Sequence, residues 1–220
     1  MKVVTTEGGR ILELVPLEEL RPPGGLYLPD LIGAIVQRYA FTAAPDLAEA
    51  TKTGVKFEGG KFIHNGETVA IKELAVYSDG IICDAPNTDL AEVVLEDFRK
   101  WATAVFKLQE PISLVRRTYT SALVCDFDKL VESGLGKLSR TTELLFRALN
   151  DAYGWDYKFN LNRLAFNVDP KDIPHLRSTN FILERRVQVS YEQNRYFSIA
   201  PLTTEAHIKL LETIEQELLA

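Results

Sequence analysis

The run KFIHNGETVAIKELAVYSDGIICDA, residues 61–85, indicates an antiparallel sheet. Apolar residues recur along it with a period of two, the pattern of a half-buried strand. Asn65-Gly66 supplies the positive φ angles that a two-residue hairpin turn needs, and Ser78-Asp79-Gly80 predicts a second turn before Ile81–Asp84. Both connections are too short to cross over a sheet, so we expect three successive antiparallel strands.

Helical patterns flank this run on both sides. Apolar residues lie on one helical face between Pro29 and Tyr39, and Pro29 suits the first turn of a helix. After the run, apolar residues recur at helical spacing from Leu90 to Leu108. Asn87 or Thr88 can cap this second helix. Acidic residues in its early turns and basic residues in its late turns match the helix dipole.

The second half of the chain repeats the mixture of strands and helices. We predict helices from Asp128 to Tyr153, interrupted by glycines, and from Thr203 to the C-terminus. Strands are predicted at Ser113–Phe127, Tyr157–Val168, 180–189 and 195–200. Because no βαβ unit recurs, the predicted fold class is α+β, a two-layer sandwich with helices packed on one face of mainly antiparallel sheet.

The predicted domain organisation is an N-terminal arm followed by one domain. Residues 1–25 end in Arg21-Pro22-Pro23-Gly24-Gly25, which neither a helix nor a central strand accommodates, so we expect a surface arm or an edge strand at Arg10–Val15. Residues 26–220 then form a single α+β domain. A subdivision into two related sub-sheets is possible near residues 109–111.

Composition points to a cytoplasmic protein. No apolar run approaches the length of about 18 residues that marks a transmembrane helix, and the first residues lack a signal peptide's apolar region. The two cysteines, Cys83 and Cys125, lie among apolar neighbours and are expected as reduced core residues. The formal net charge of −6 disfavours unspecific binding to nucleic acid.

Catalytic motifs are missing from the sequence. It contains no nucleophile elbow, phosphate-binding glycine loop, H-E-x-x-H or C-x-x-C, and its three histidines lie in separate predicted elements. Asp79, Asp84 and Asp126 are the alternative catalytic residues, because they flank strand ends where acids can meet and hold Mg²⁺ or Mn²⁺. We nevertheless expect no resident metal and no cofactor.

Arginine is the residue type that most suggests a binding surface. Six arginines lie in or beside predicted strands, and the guanidinium group suits phosphate or carboxylate ligands. The ordinary role of such residues is to face solvent or a cross-strand carboxylate, here Glu184. If several share one sheet face, the candidate binding residues are Arg116, Arg163, Arg186 and Arg195.

Parts of the chain resemble known bacterial proteins. The segments are Tyr77–Ile82 followed by the helix of Trp101, together with Asn194–Ser198 and Ala200–Leu202. They are similar to bacterial hypothetical proteins without an assigned activity. The resemblance implies a bacterial or phage setting and assigns no functional residue.

The sequence favours binding over catalysis. The leading hypothesis is a non-enzymatic binding or assembly protein, a homo-oligomer or complex subunit, which recognises a protein partner or an acidic or phosphate-bearing ligand through an open arginine-bearing sheet face. One alternative is a metal-dependent enzyme acting on a nucleotide or other phosphate-bearing substrate. The other is a small-molecule binder with a cavity between the sheet and the helix at 88–107.

Overall fold

The structure, a computed structural model, describes residues 1–45, 54–129, 131, 136–154, 160–169 and 180–219. Its mixture of antiparallel strands and helices confirms the predicted α+β class. The strands are β1 Lys2–Leu14, β2 Val55–His64, β3 Glu67–Tyr77, β4 Gly80–Ala85, β5 Arg116–Asp126, β6 Arg163–Phe166, β7 Phe181–Arg185 and β8 Arg195–Ala200. The helices are α1 Leu17–Leu20, α2 Leu28–Tyr39, α3 Thr88–Phe106, α4 Gly136–Tyr153 and α5 Thr204–Leu219.

The order of elements occurs twice along the chain. Leaving aside the single turn α1, the first half runs β1-α2-β2-β3-β4-α3 and the second runs β5-α4-β6-β7-β8-α5. The hydrogen-bonded strand order, β2-β3-β4-β1-β5-β8-β7-β6, repeats in the same way, because the first strand of each half is the neighbour of its last strand. Both halves therefore share one topology, although no fixed-period repeat is visible in the sequence.

Strand β1 corrects the prediction for the N-terminus. It pairs with β4 over Gly9–Leu14 and lies between β4 and β5 in the strand order, so it is neither an arm nor an edge strand. Gly9 permits a close approach: a Cβ atom there would lie 2.1 Å from the backbone of Asn87 and Thr88. The sequence predicts a strand at Arg10–Val15 but not its central position, because the buried positions of β1 include a charged residue, Glu13.

The described structure divides into two compact units. The larger unit comprises Glu7–Ser121 with Leu202–Thr204, and the smaller unit comprises Met1–Thr6, Ala122–Pro201 and Glu205–Ala220. The division inside β5 lies between Ser121 and Ala122, whereas the subdivision considered from sequence was at 109–111. Within the described residues, no helix is both long and apolar enough to cross a membrane.

The larger unit has a core of aliphatic and aromatic side chains beneath α2 and α3. Its first hairpin turns at Asn65 and Gly66, whose φ angles of 50° and 84° are those of the predicted turn. The Arg38 guanidinium and the Tyr39 hydroxyl both donate to the Asp97 carboxylate, which joins α2 to α3. The core includes Ile11, Ile35, Tyr39, Phe57, Leu74, Val94, Leu95 and Phe98.

Two threonines of the larger unit form a reciprocal pair at helix starts. The Thr88 amide donates to Thr204 Oγ1 at 3.1 Å, and the Thr204 amide donates to Thr88 Oγ1 at 2.8 Å. Both residues are buried. Each hydroxyl therefore satisfies an N–H that the first turn of a helix leaves without an intrahelical partner.

The smaller unit has its own core and several differences from prediction. Asp128 and Lys129 are not helical, and α4 begins at Gly136; residues 130 and 132–135 of that predicted helix lie outside the described residues. The predicted strand Tyr157–Val168 is observed as the shorter β6. Its residues 157–159 lie outside the described residues. The core is formed by Leu123, Cys125, Phe127, Val131, Leu183, Tyr196 and Leu211.

Both cysteines are buried core residues. Cys83 lies in the larger unit and Cys125 in the smaller one, and neither forms a disulfide. Burial raises the pKa of each thiol to about 12, so both stay protonated at neutral pH. This environment is that of packing residues, as the sequence predicts.

Candidate functional site

Two of the predicted binding arginines already hold carboxylates. The Arg195 guanidinium binds Asp126 in a bidentate manner, with Nε–Oδ1 and Nη2–Oδ2 distances of 2.7 and 2.9 Å. The hydrogen bond from Arg195 lowers the pKa of Asp126. Arg163 lies opposite Glu184 in the β6–β7 register, and its Nε is 3.7 Å from that carboxylate. These two arginines share a sheet face, but their donors point at carboxylates of the same face.

The other two candidates have different surroundings. Arg186 follows β7, and its Cζ atom lies 5.9 Å from the centre of the Phe197 ring. Phe197 lies opposite Glu184 in the β7–β8 register, so this ring belongs to the face that carries Arg163 and Arg195. Arg116 begins β5 in the larger unit and is exposed. Within the smaller unit, the described sheet face thus has Arg186 beside two arginines that are paired with carboxylates.

The three alternative catalytic carboxylates occupy separate environments. Asp84 is 3.1 Å from Arg10 Nη2, its cross-strand neighbour. Asp79 is exposed in the turn before β4, and five residues of extended strand separate it from Asp84 by about 16 Å. Asp126 is held by Arg195 in the smaller unit. In the described parts of the chain, no three histidine, cysteine or acidic side chains are placed to hold a metal ion.

A buried serine–histidine contact lies in the smaller unit. Ser198 Oγ is 2.9 Å from His207 Nε2 and 2.9 Å from the Ile182 carbonyl oxygen, and both side chains are fully buried. The carbonyl can only accept, so the single hydroxyl proton of Ser198 points to Ile182. His207 Nε2 must then donate to Ser198, which is the reverse of the proton transfer that activates a serine nucleophile. The contact is structural.

A cavity of about 560 Å³ lies in the larger unit. The core-facing side of β1 and β4 forms one wall, and the second half of α3 forms another. Leu20 of α1 and residues 108–111 complete its mouth. The apolar lining residues are Val15, Leu20, Ile81, Phe98, Leu108, Pro111 and Val115.

A buried carboxylate, Glu13, lies in the wall of this cavity. Only 1% of Glu13 is exposed, and Arg117 Nε donates to its Oε2 at 2.8 Å. Arg117 also donates to Glu92 through Nη1. Burial opposes the charge of Arg117, but the hydrogen bond to Glu13 raises its pKa overall. Glu13, Arg117 and Glu92 therefore form a continuous ionic network at the sheet surface.

Arg99 is the least satisfied polar group of the cavity. Its Nη1 atom forms an ion pair with Glu13 Oε1 at 3.4 Å. Its Nε atom is buried and has no hydrogen-bond partner among the residues that the structure describes. A buried N–H without a partner is costly, so Arg99 offers donors to a molecule in the cavity.

Hydrogen bonds to the Glu19 carboxylate, here called the clasp, connect two segments at the mouth of the cavity. The carboxylate accepts hydrogen bonds from the backbone amides of Ile112 and Ser113, at 2.9 and 2.8 Å, and from the Ser113 hydroxyl. These bonds lower the pKa of Glu19, the Ser113 hydroxyl contributing most. The Gln109 amide also donates to the Leu20 carbonyl. Helix α1 is thus tied to the segment that follows α3.

Comparison with protein-family models and with curated proteins gives no match. Among solved structures, the chain is similar to Methanococcus jannaschii TBP, with 8% sequence identity, coverage of 97% of each chain and a TM-score of 0.42. At that score the likeness supports no conclusion about the fold or function of this chain.

The cavity residues were not among the site residues predicted from sequence. The only sequence signal at Glu13 is a charge at a position where the alternation of β1 requires an apolar side chain. In the sequence, Arg99 looks like any basic residue late in a helix. Only the structure shows that it lies beside Glu13 of β1. The cavity does lie where the third hypothesis places one, between the sheet and the helix at 88–107.

Proposed function

We propose that the protein binds a small amphipathic molecule in the cavity of its larger unit and performs no chemistry on it. The observation that carries this proposal is Arg99, whose part-exposed side chain lines the cavity and whose buried Nε has no hydrogen-bond partner in the described structure. A bound molecule with a hydrogen-bond acceptor would satisfy that group.

The size and lining of the cavity support this proposal. Its volume of about 560 Å³ lies within the range of about 300–1,000 Å³ that is typical of small-molecule sites. Such sites combine an apolar lining with a few polar groups that orient the ligand. In this cavity, aliphatic and aromatic side chains form the apolar lining, and the Arg99 guanidinium is the polar group that orients the ligand.

The polar groups of the cavity favour binding over catalysis. A catalytic base must be within reach of a substrate proton. The oxygens of Glu13 are instead engaged by Arg117 and approached by Arg99. The remaining acids, Glu96 and Glu110, line the outer part of the cavity and are exposed.

Calorimetric titration with three probes of one chain length, octanoate, octanol and octylamine, tests the proposal. At least one probe should bind, because the apolar lining is common to all three. A Thr103→Trp substitution fills the cavity from α3 and should weaken binding by about tenfold or more, or about 1.4 kcal/mol. Ala104→Trp, on the exposed side of the same helix, is the matched control and should bind as the wild type does.

The failure of all three probes to bind, or equal loss in the two tryptophan variants, would exclude the cavity as the site. Recognition of a protein partner, or self-association, through the arginine-bearing sheet face stays a prediction. Light scattering at micromolar concentration measures the oligomeric state directly.

A further inference from the structure

We infer that the cavity selects a carboxylate with an apolar chain, bound head-first to Arg99. This inference rests on the proposed function and adds the chemical class of the ligand. Arg99 Nη1 lies 3.4 Å from Glu13, and its buried Nε has no hydrogen-bond partner in the described part of the chain.

The donor geometry of Arg99 suits a carboxylate. A guanidinium presents parallel N–H groups in a planar fork, which matches the two oxygens of a carboxylate. Hydrogen bonds in which both partners are charged are roughly twice as strong as neutral ones. The Arg99 side chain is 40% exposed, and a neutral acceptor would use less of its fork than a carboxylate does.

The neighbouring acid does not prevent this binding. Glu13 is paired with Arg117, which also binds Glu92, so the carboxylates of Glu13 and Glu92 and the guanidinium groups of Arg117 and Arg99 form a neutral set. At the outer part of the cavity, Glu96 is 3.5 Å from Lys100 in the next turn of α3. A carboxylate head at Arg99 therefore enters surroundings in which most acids already have a cationic neighbour.

The apolar part of the ligand has a matching surface. Val15 directly follows β1, Ile81 comes from β4, and Phe98 comes from α3. Leu108 and Val115 come from the segment between α3 and β5. Burial of each methylene group adds to the affinity, so the chain supplies affinity while Arg99 supplies orientation.

Titration with octanoate, octanol and octylamine separates this inference from the proposed function. Octanoate should bind at least about tenfold more tightly than octanol, as a charge-assisted hydrogen bond allows, and octylamine should bind most weakly. If octanol or octylamine binds as tightly as octanoate, the inference is wrong while cavity binding stands. If no probe binds, both are wrong.

Substitutions at Arg99 complete the test. Arg99→Gln should remove the preference for octanoate over octanol but leave octanol affinity within about twofold, and Arg99→Lys should restore part of the preference. Arg116→Gln is the matched control, since Arg116 is exposed and does not line the cavity. A preference for octanoate that survives in Arg99→Gln would overturn the assignment, and far-ultraviolet circular dichroism shows whether each variant is folded.

Discussion

Each unit buries polar groups beneath a long helix, and the two differ in how completely those groups are satisfied. In the smaller unit, the Ser198 hydroxyl lies between the Ile182 carbonyl and His207, and the Phe181 ring packs against the imidazole. In the larger unit, Glu13 is satisfied by Arg117, but Arg99 lies beside an open cavity with a buried Nε that lacks a hydrogen bond. A closed polar contact supports the fold, whereas an incomplete one beside a cavity points to a ligand.

The largest loss of unfolding free energy is expected when the Glu13 carboxylate is removed. Glu13→Ala leaves Arg99 and Arg117 without their shared carboxylate, at a cost of about 2–3 kcal/mol, because both guanidinium groups are part-exposed and Arg117 keeps Glu92. Chemical denaturation measures the loss. Glu96→Ala is the control, because its exposed pair with Lys100 is worth about 0.5 kcal/mol. Equal losses in the two variants would show that the Glu13 network is not buried.

Removal of the Ser198 hydroxyl should destabilise the fold without changing ligand affinity. Ser198→Ala leaves His207 Nε2 and the Ile182 carbonyl without this partner, at a cost of about 1–3 kcal/mol. Ser78→Ala, in an exposed turn, should change the unfolding free energy by less than about 0.5 kcal/mol. A change in octanoate affinity in folded Ser198→Ala would contradict the separation of roles drawn above.

These comparisons show which features the sequence determines locally. The Asn65-Gly66 hairpin and the cap of α3 by Asn87, which accepts from the Leu90 amide, were predictable because their chemistry lies within a few residues. The full length and central position of β1 were not predicted, because Gly8, Gly9 and buried Glu13 interrupt its apolar alternation.

The candidate site was less predictable than the fold. The partners of Glu13 lie 86 and 104 residues along the chain, at Arg99 and Arg117, and no local pattern links them. The candidate binding arginines were chosen from the sequence by residue type alone. In the structure, Arg195 donates hydrogen bonds to Asp126. Sequence identifies donors, but only the packed structure shows which donors remain available.

Acid should weaken the smaller unit's Arg195 pair. The folded pKa of Asp126 is lowered from its ordinary 3.8, mainly by the hydrogen bond from Arg195, so the pair stabilises the fold fully above 3.8. This contribution is lost as the pH falls through the lower folded pKa. Unfolding free energies measured over this range should fall less steeply in Asp126→Asn than in the wild type; identical slopes would contradict the pair.

The smallest effect, a change in the rate of ligand dissociation, is expected from a substitution at the mouth of the cavity. Glu19→Gln replaces charge-assisted hydrogen bonds to Ser113 by neutral ones, with little effect on stability because Glu19 lies at the surface. We expect octanoate to dissociate a few-fold faster, as stopped-flow displacement measures. Glu18→Gln on the same helix should leave the rate unchanged. An unchanged rate in Glu19→Gln would mean that ligand exchange does not require this clasp to open.

The most direct test of ligand binding at an incompletely satisfied arginine is the nuclear magnetic resonance spectrum of the arginine Nε–H groups during titration with octanoate. We expect the Arg99 signal, assigned by its loss in Arg99→Gln, to shift with saturation while the Arg195 signal stays in place. A titration in which octanoate shifts Arg195 and leaves Arg99 unchanged would contradict the assignment of the cavity as the ligand site.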